Sequence, residues 1–115
     1  MMSINVLKNT QIVTDGMDKC LQRNQILASN IANSATPGYK AKDVFLNILN
    51  PVNKEGGINY SIQERTDVEV KENGNTVDMG KEMTSIVENV LEYNALVQSL
   101  SKSISSIEYA IDDRR

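Results

Sequence analysis

A mainly α-helical fold is predicted: long N- and C-terminal helices forming an antiparallel, coiled-coil-like hairpin, with a small irregular or β-containing insert between them. Three observations predict it. The last third carries an unbroken apolar heptad, the first third a looser one, and the polar stretch between them is rich in turn-forming residues. The chain divides accordingly into an N-terminal heptad helix over 1–36, a Pro-Gly elbow and small insert with short strands over 37–78, and a C-terminal heptad helix over 79–115, all one structural unit.

The first helix follows a seam through Val6, Thr10, Val13, Met17, Cys20, Asn24, Leu27 and Ile31, with Leu7, Leu21 and Ala28 widening its apolar face. Gly16 is its weak point, costing up to about 1 kcal/mol against alanine in a helix interior. Asn24 reads two ways: a polar core residue that fixes register, or a loose-edge residue facing solvent. Cys20 reads as a small core filler and not a reactive thiol, since it lies on the seam with no adjacent base.

The helix stops at Asn33-Ser34-Ala35-Thr36-Pro37-Gly38-Tyr39. Thr36 precedes a proline and is pushed out of the α region. Pro37-Gly38 suits the centre of a type II turn, with Gly38 supplying the positive φ. The chain then leaves extended through Tyr39-Lys40-Ala41-Lys42-Asp43, which makes a rigid elbow.

In the insert, Phe45, Leu46, Ile48 and Leu49 form an apolar cluster, either a short helix or an anchor packing back onto the helix pair. Asn50-Pro51 and Gly56-Gly57 are breakers. Ile58, Tyr60 and Ile62 alternate, as do Val68 and Val70, and predict a short hairpin. Glu72-Asn73-Gly74-Asn75 is a turn, and Asp78 is placed to cap the last helix.

The last helix is the strongest element. Gaps of four and three residues lead through Met79, Met83, Ile86, Val90, Tyr93, Val97, Leu100, Ile104, Ile107 and Ile111, with no Gly or Pro from Lys81 to Arg115. At a rise of about 1.5 Å per residue the helix runs roughly 50 Å. Such a stripe needs a partner of similar length, which the first helix supplies. The economical arrangement puts the termini together at one end and the insert at the other. Leu91, Ala95, Leu96 and Tyr109 fall off the seam, and serines between Ser99 and Ser106 keep the surface small. That surplus implies further helix neighbours from outside the chain, the alternative being an insert that folds back to cover it.

Composition removes several function classes. The 115 residues carry a formal charge of −3, no histidine, one cysteine and no tryptophan. There is no basic stripe for nucleic acid, and Ser or Cys triads lack their base. No catalytic, cofactor-binding or metal residue is assigned, and the protein is expected not to be an enzyme. Glu64, Asp67, Glu69 and Glu72 lack calcium-loop spacing and read as a solvated acidic surface. Asn24, Asn30 and Asn33 read as surface polarity and helix termination. Neither a secretory signal nor an apolar run of about 18 residues is visible, so composition suggests a soluble, acidic chain of intracellular origin. What physics alone leaves is a helical subunit that self-assembles or joins an assembly. The competing class is a soluble helical binding module such as a secretion chaperone or adaptor.

The stretch Leu27-Ala28-Ser29-Asn30-Ile31-Ala32-Asn33-Ser34-Ala35-Thr36-Pro37-Gly38-Tyr39-Lys40 resembles the N-terminal signature of the bacterial flagellar rod, hook and hook-filament axial proteins. Asn75-Thr76-Val77-Asp78, Glu82-Met83, Tyr93, Leu100 and Ile107-Glu108-Tyr109-Ala110-Ile111 extend the resemblance to all but 46–72. Ala35 departs from the acidic residue frequent at its position. Glu92 before Tyr93 sets the chain apart from FlgC, where an Arg is usual. The resemblance implies a structural subunit of the proximal basal-body rod, exported from the cytoplasm without a cleaved signal peptide. It further implies assembly through the terminal helices into an axial tube that transmits torque and passes exported subunits. The implied partners are further copies of the chain, FlgC-like rod subunits, the rod adaptor FliE and the flagellar type III export apparatus. The motif and turn residues are Asn30, Ile31, Ala32, Asn33, Thr36, Pro37, Gly38 and Tyr39. The expected assembly seam comprises Met83, Ile86, Val90, Tyr93, Val97, Leu100, Ile104, Ile107 and Ile111.

Overall fold

A computed structural model describes residues 2–52 and 57–112. The Val6 side chain, Gly56 and the end of the expected last segment, 113–115, lie outside the described residues. Four elements follow in order: α1 (Met2–Ala32), β1 (Lys42–Leu46), β2 (Tyr60–Glu64) and α2 (Met79–Asp112). The molecule is a rod 68 Å long and 27 by 16 Å across.

The helices run antiparallel along one another. Gly16 of α1 lies against Leu96 of α2, Lys19 pairs with Glu92, Cys20 meets Asn89, and Asn30 meets Glu82. Gly16 has a packing reason that periodicity did not reveal. A Cβ there would lie 3.1 Å from Leu96 Cδ1, so the missing side chain lets the helices close. Cys20 and Leu27 are buried on the inner face of α1, while Asn24 is exposed, which decides for its solvent-facing reading. Burial, and then the charge of Glu92, push the Cys20 thiol above its usual pKa, as suits a packed and unreactive group.

The face that α2 turns toward α1 differs from the expected seam. Its buried residues are Glu82, Ser85 and Asn89. Ile86, Tyr93, Leu96, Leu100, Ser103 and Ile107 are half-buried along the same line. Thus Ile86, Tyr93, Leu100 and Ile107 flank the partner helix as expected, whereas Met79, Met83, Val90, Val97, Ile104 and Ile111 are exposed. The reason is that one heptad row can serve two seams, one on each of its flanks. Towards the elbow the inner flank is polar, because α1 and the insert supply partners for Glu82, Ser85 and Asn89, and from Tyr93 onward it is apolar, with Leu96 packed on Gly16.

The insert also departs from expectation. Tyr60–Glu64 is a strand, but it pairs antiparallel with Lys42–Leu46, in the register Val44 to Ile62. Val68 and Val70 lie outside any strand. Phe45 and Leu46 belong to β1, and neither a helix nor an anchor forms, since Ile48 and Leu49 are 87% and 97% exposed. The hairpin is not confined to the end of the helix pair. It folds back beside α1, where the Lys19 ammonium sits 5.3 Å from the centre of the Tyr60 ring.

Asp78 caps α2, its Oδ1 accepting from the Lys81 N–H at 3.2 Å. This satisfies one of the four unpaired donors of the first turn.

Candidate functional site

The elbow is built as its residues dictate. Ala32 ends α1, and Asn33 and Ser34 continue one more turn through bonds to Ser29, Asn30 and Ile31 carbonyls. The Asn33 amide donates to Ser29 O at 2.8 Å, and its Oδ1 accepts from Thr36 Oγ1 at 3.1 Å. Tyr39 N–H closes the turn around Pro37 and Gly38 on Thr36 O at 3.3 Å. Gly38 has φ +75°, as the type II turn requires. Gly74, at φ +82°, lies directly across from it, and Gly38 N–H donates to Asn73 O at 2.9 Å.

Asn75 locks this elbow to the start of α2. Its amide donates to Asn33 O and Thr36 O at 2.9 and 2.8 Å, and its Oδ1 accepts from Val77 N–H at 2.7 Å. Thr76 adds a second tie, accepting from Ala41 N–H at 2.8 Å while its own N–H donates to Tyr39 O. Sequence reasoning gave these residues no such role. The signal was a short polar run immediately before a capped helix, which is where a buried backbone needs side-chain partners.

Asn30 corrects the reading of the asparagines as surface polarity. It is fully buried and uses both ends of its amide. Nδ2 donates to Lys42 O at 2.7 Å and to Glu82 Oε2 at 3.0 Å, while Oδ1 accepts from Lys42 N–H and Tyr39 OH, each at 3.1 Å. Ile31 is half-buried beside it. Asn30 is thus the joint of α1, the extended exit from the elbow and α2.

Around Glu82 the polar contacts form a charged web. Arg65 Nε lies 3.3 Å from Glu82 Oε1, and its Nη2 reaches both Asp43 Oδ2 at 3.2 Å and Ser85 Oγ at 2.6 Å. Arg23 grips Asp43 with two bonds of 2.8 and 3.1 Å. Burial pushes the Asp43 carboxyl up, but bonds from Arg23 and Val44 N–H, with the charges of Arg23 and Arg65, hold it below its ordinary value. The bond to Asp43 chiefly raises the Arg23 guanidinium above its own. These contacts orient the hairpin on the helices. Among the described residues no cluster of three or more His, Cys, Asp or Glu side chains is placed to hold a metal ion. Among the described residues no helix is long and apolar enough to cross a membrane. Of the expected acidic surface, Asp67 pairs with Arg65 and Lys81 at 3.7 and 3.8 Å.

The expected seam on α2 is exposed at five positions and half-buried at the four that border α1. Val90 is 50% exposed and Val97 37%, with Met83, Ile104 and Ile111 in line, and the half-buried Ile86, Tyr93, Leu100 and Ile107 border it. The motif residues gather at the elbow end of the rod, while the strip runs along α2 away from it.

Comparison with known proteins adds the decisive observation. The family described as flagella basal body rod protein matches residues 15–40, which hold the middle and end of α1 and the elbow. The flagellar basal body rod protein FlgB of Bacillus subtilis (strain 168) is 33% identical over 102 residues, covering 75% of this chain and 79% of that protein. The chain belongs to the FlgB family of flagellar basal body rod proteins. Similarity extends to FlgB of Escherichia coli (strain K12), at 32% over 110 residues, and of Cereibacter sphaeroides, at 33% over 105 residues. These alignments cover 75% and 77% of this chain and 80% and 82% of those relatives. As a FlgB-family member the protein is a structural subunit of the flagellar basal-body rod, where it associates with other rod components. That membership sets aside the chaperone or adaptor reading. The stretch that matches the basal body rod family contains the Asn30 joint and the Pro37-Gly38 turn.

Proposed function

We propose that this rod subunit assembles through the apolar strip of α2, in which Met83, Val90, Val97, Ile104 and Ile111 are exposed and Ile86, Tyr93, Leu100 and Ile107 are half-buried at its border. The observation that supports this is that the fully buried residues of α2 are Glu82, Ser85 and Asn89, while Met83, Val90, Val97, Ile104 and Ile111 stay exposed. Apolar surface on that scale gains free energy only when a neighbour covers it.

Adjoining subunits pack their terminal helices together, and the resulting axial tube transmits torque and passes exported subunits. The elbow from Asn30 to Tyr39 sets how the insert leaves the helical layer. The partners in contact are further copies, FlgC-like rod subunits and the rod adaptor FliE. Delivery is through the flagellar type III export apparatus without a cleaved signal peptide, so intact mass of the subunit from isolated basal bodies retains the N-terminal residues apart from initiator Met.

The test is a photo-crosslinking residue at Val97 in cells building basal bodies. Adducts with rod proteins or the adaptor are expected. A protein that enters rods yet gives no intermolecular adduct from Val97 contradicts the role given to this strip.

A further inference from the structure

Asn73 is the only asparagine of the chain that precedes a glycine. That dipeptide carries its own chemistry. Glycine has no Cβ to shield its nitrogen, so the Gly74 nitrogen can attack Asn73 Cγ once the chain is free to bend back on itself. An N–C bond forms, the Cγ–Nδ2 bond breaks, and the side-chain nitrogen leaves as ammonia with the proton of the Gly74 amide. Water then opens the five-membered imide at one of its two carbonyls. The product at position 73 is an aspartate or an isoaspartate, the latter with its main chain running through Cβ and Cγ.

The fold restrains each reacting group. Asn73 itself is exposed, but the peptide that joins it to Gly74 is held at both edges. Gly74 N–H donates to Lys71 O at 2.9 Å, and Asn73 O accepts from Gly38 N–H at 2.9 Å. Attack needs that peptide to rotate and its N–H to be released. The side chain is fixed as well, since Asn73 Oδ1 accepts from Asn75 N–H at 3.1 Å. On the far side of the glycine, Gly74 O accepts from Lys40 Nζ at 2.8 Å.

Modification would in turn deny the fold. In an isoaspartate the carbonyl that meets Gly38 becomes a free carboxylate, and the main chain gains one carbon. There is no slack for it, because a Cβ on Gly74 would already lie 3.3 Å from Gly38 Cα. Asn75 and Thr76, which lock the elbow from the next two positions, would be carried away from Asn33, Thr36 and Ala41.

We propose that Asn73 is a deamidation site, open in the unfolded chain and closed by the elbow, and that isoaspartate chains cannot rebuild the contact with Gly38. The site is separate from the apolar strip of α2 and does not rest on the role given to that strip. It marks copies that have stayed unfolded, and the mark bars them from the native elbow.

The test incubates the purified chain at mildly alkaline pH, in buffer and in urea, and follows amide loss at each asparagine by peptide mass mapping. In urea Asn73 should convert first. In buffer its conversion should be slower by about tenfold or more, because reaction waits on local opening. Gly38→Ala, which strains the elbow without filling space, should speed conversion in buffer. Isoaspartate chains made in urea are then isolated and refolded beside unmodified chains taken through the same steps. Their urea midpoint should be lower. Equal rates in buffer and urea, faster conversion at another asparagine in urea, or a wild-type midpoint for the isoaspartate chains would each overturn the proposal.

Discussion

Asn30 on α1 and Glu82 on α2, fully buried and 52 residues apart in sequence, are joined by a 3.0 Å hydrogen bond from Nδ2 to Oε2. The same asparagine closes two bonds on the Lys42 backbone, so one side chain holds both helices and the root of the hairpin.

Asn30→Ala should therefore be among the most damaging single substitutions for the isolated chain. It leaves Glu82 Oε2, Tyr39 OH and both Lys42 backbone groups without this partner. The expected cost is about 3 kcal/mol, with Tm falling by roughly 10 °C or more. Thermal unfolding followed by circular dichroism measures it. A fall of only a degree or two would mean that the joint is dispensable.

Asp43 predicts the acid limb of stability. Its carboxyl titrates lower in the fold than the value of about 3.9 expected when unfolded. A depressed carboxylate contributes stability that is fully present above the unfolded pKa and is lost as pH falls through the folded one. Stability should thus decline below about pH 4. Asp43→Asn should flatten that decline and cost about 3 kcal/mol at neutral pH, because Arg23 and Arg65 lose their shared anion. Urea midpoints of both proteins across acid pH give the comparison.

Gly38 predicts a cost that comes from backbone alone. No atom lies within 4 Å of the Cβ that would be added there, yet its φ is +75°. Gly38→Ala should cost about 1–2 kcal/mol, and the β-branched Gly38→Val more. A denaturation midpoint unchanged in Gly38→Val would remove the reason given for this glycine.

The periodicities of both helices were legible, and so were the Pro37-Gly38 turn and the Asp78 cap, because each rests on local chemistry. Which flank of α2 meets α1 was not. The row Ile86, Tyr93, Leu100, Ile107 belongs to either seam, and hydrophobicity favoured Val90 and Val97 over Asn89 and Glu82. That preference assumes that folding within one chain takes the apolar flank, whereas here α1 and the insert supply hydrogen-bond and ion-pair partners for Glu82 and Asn89. Asn30 was misread for a related reason: its partners, Lys42 and Glu82, are distant in sequence, and an isolated asparagine near a helix end looks like a terminator. Its spacing three residues after the buried Leu27 was the available sign that it faces inward. The hairpin strand at Tyr60 was legible from alternation, but its partner at Val44 was not, since pairing depends on how the elbow aims the chain.

The most direct test of the central claim, that α2 folds with one flank and assembles with the other, is rod incorporation of the Val90→Asp/Val97→Asp protein. Both positions are exposed in the single chain, so helix content and Tm should match wild type to within a few degrees. Isolated basal bodies from cells expressing only this variant should contain none of it, and the cells should be non-motile. A normally folded variant that appears in rods at the wild-type level would contradict the account.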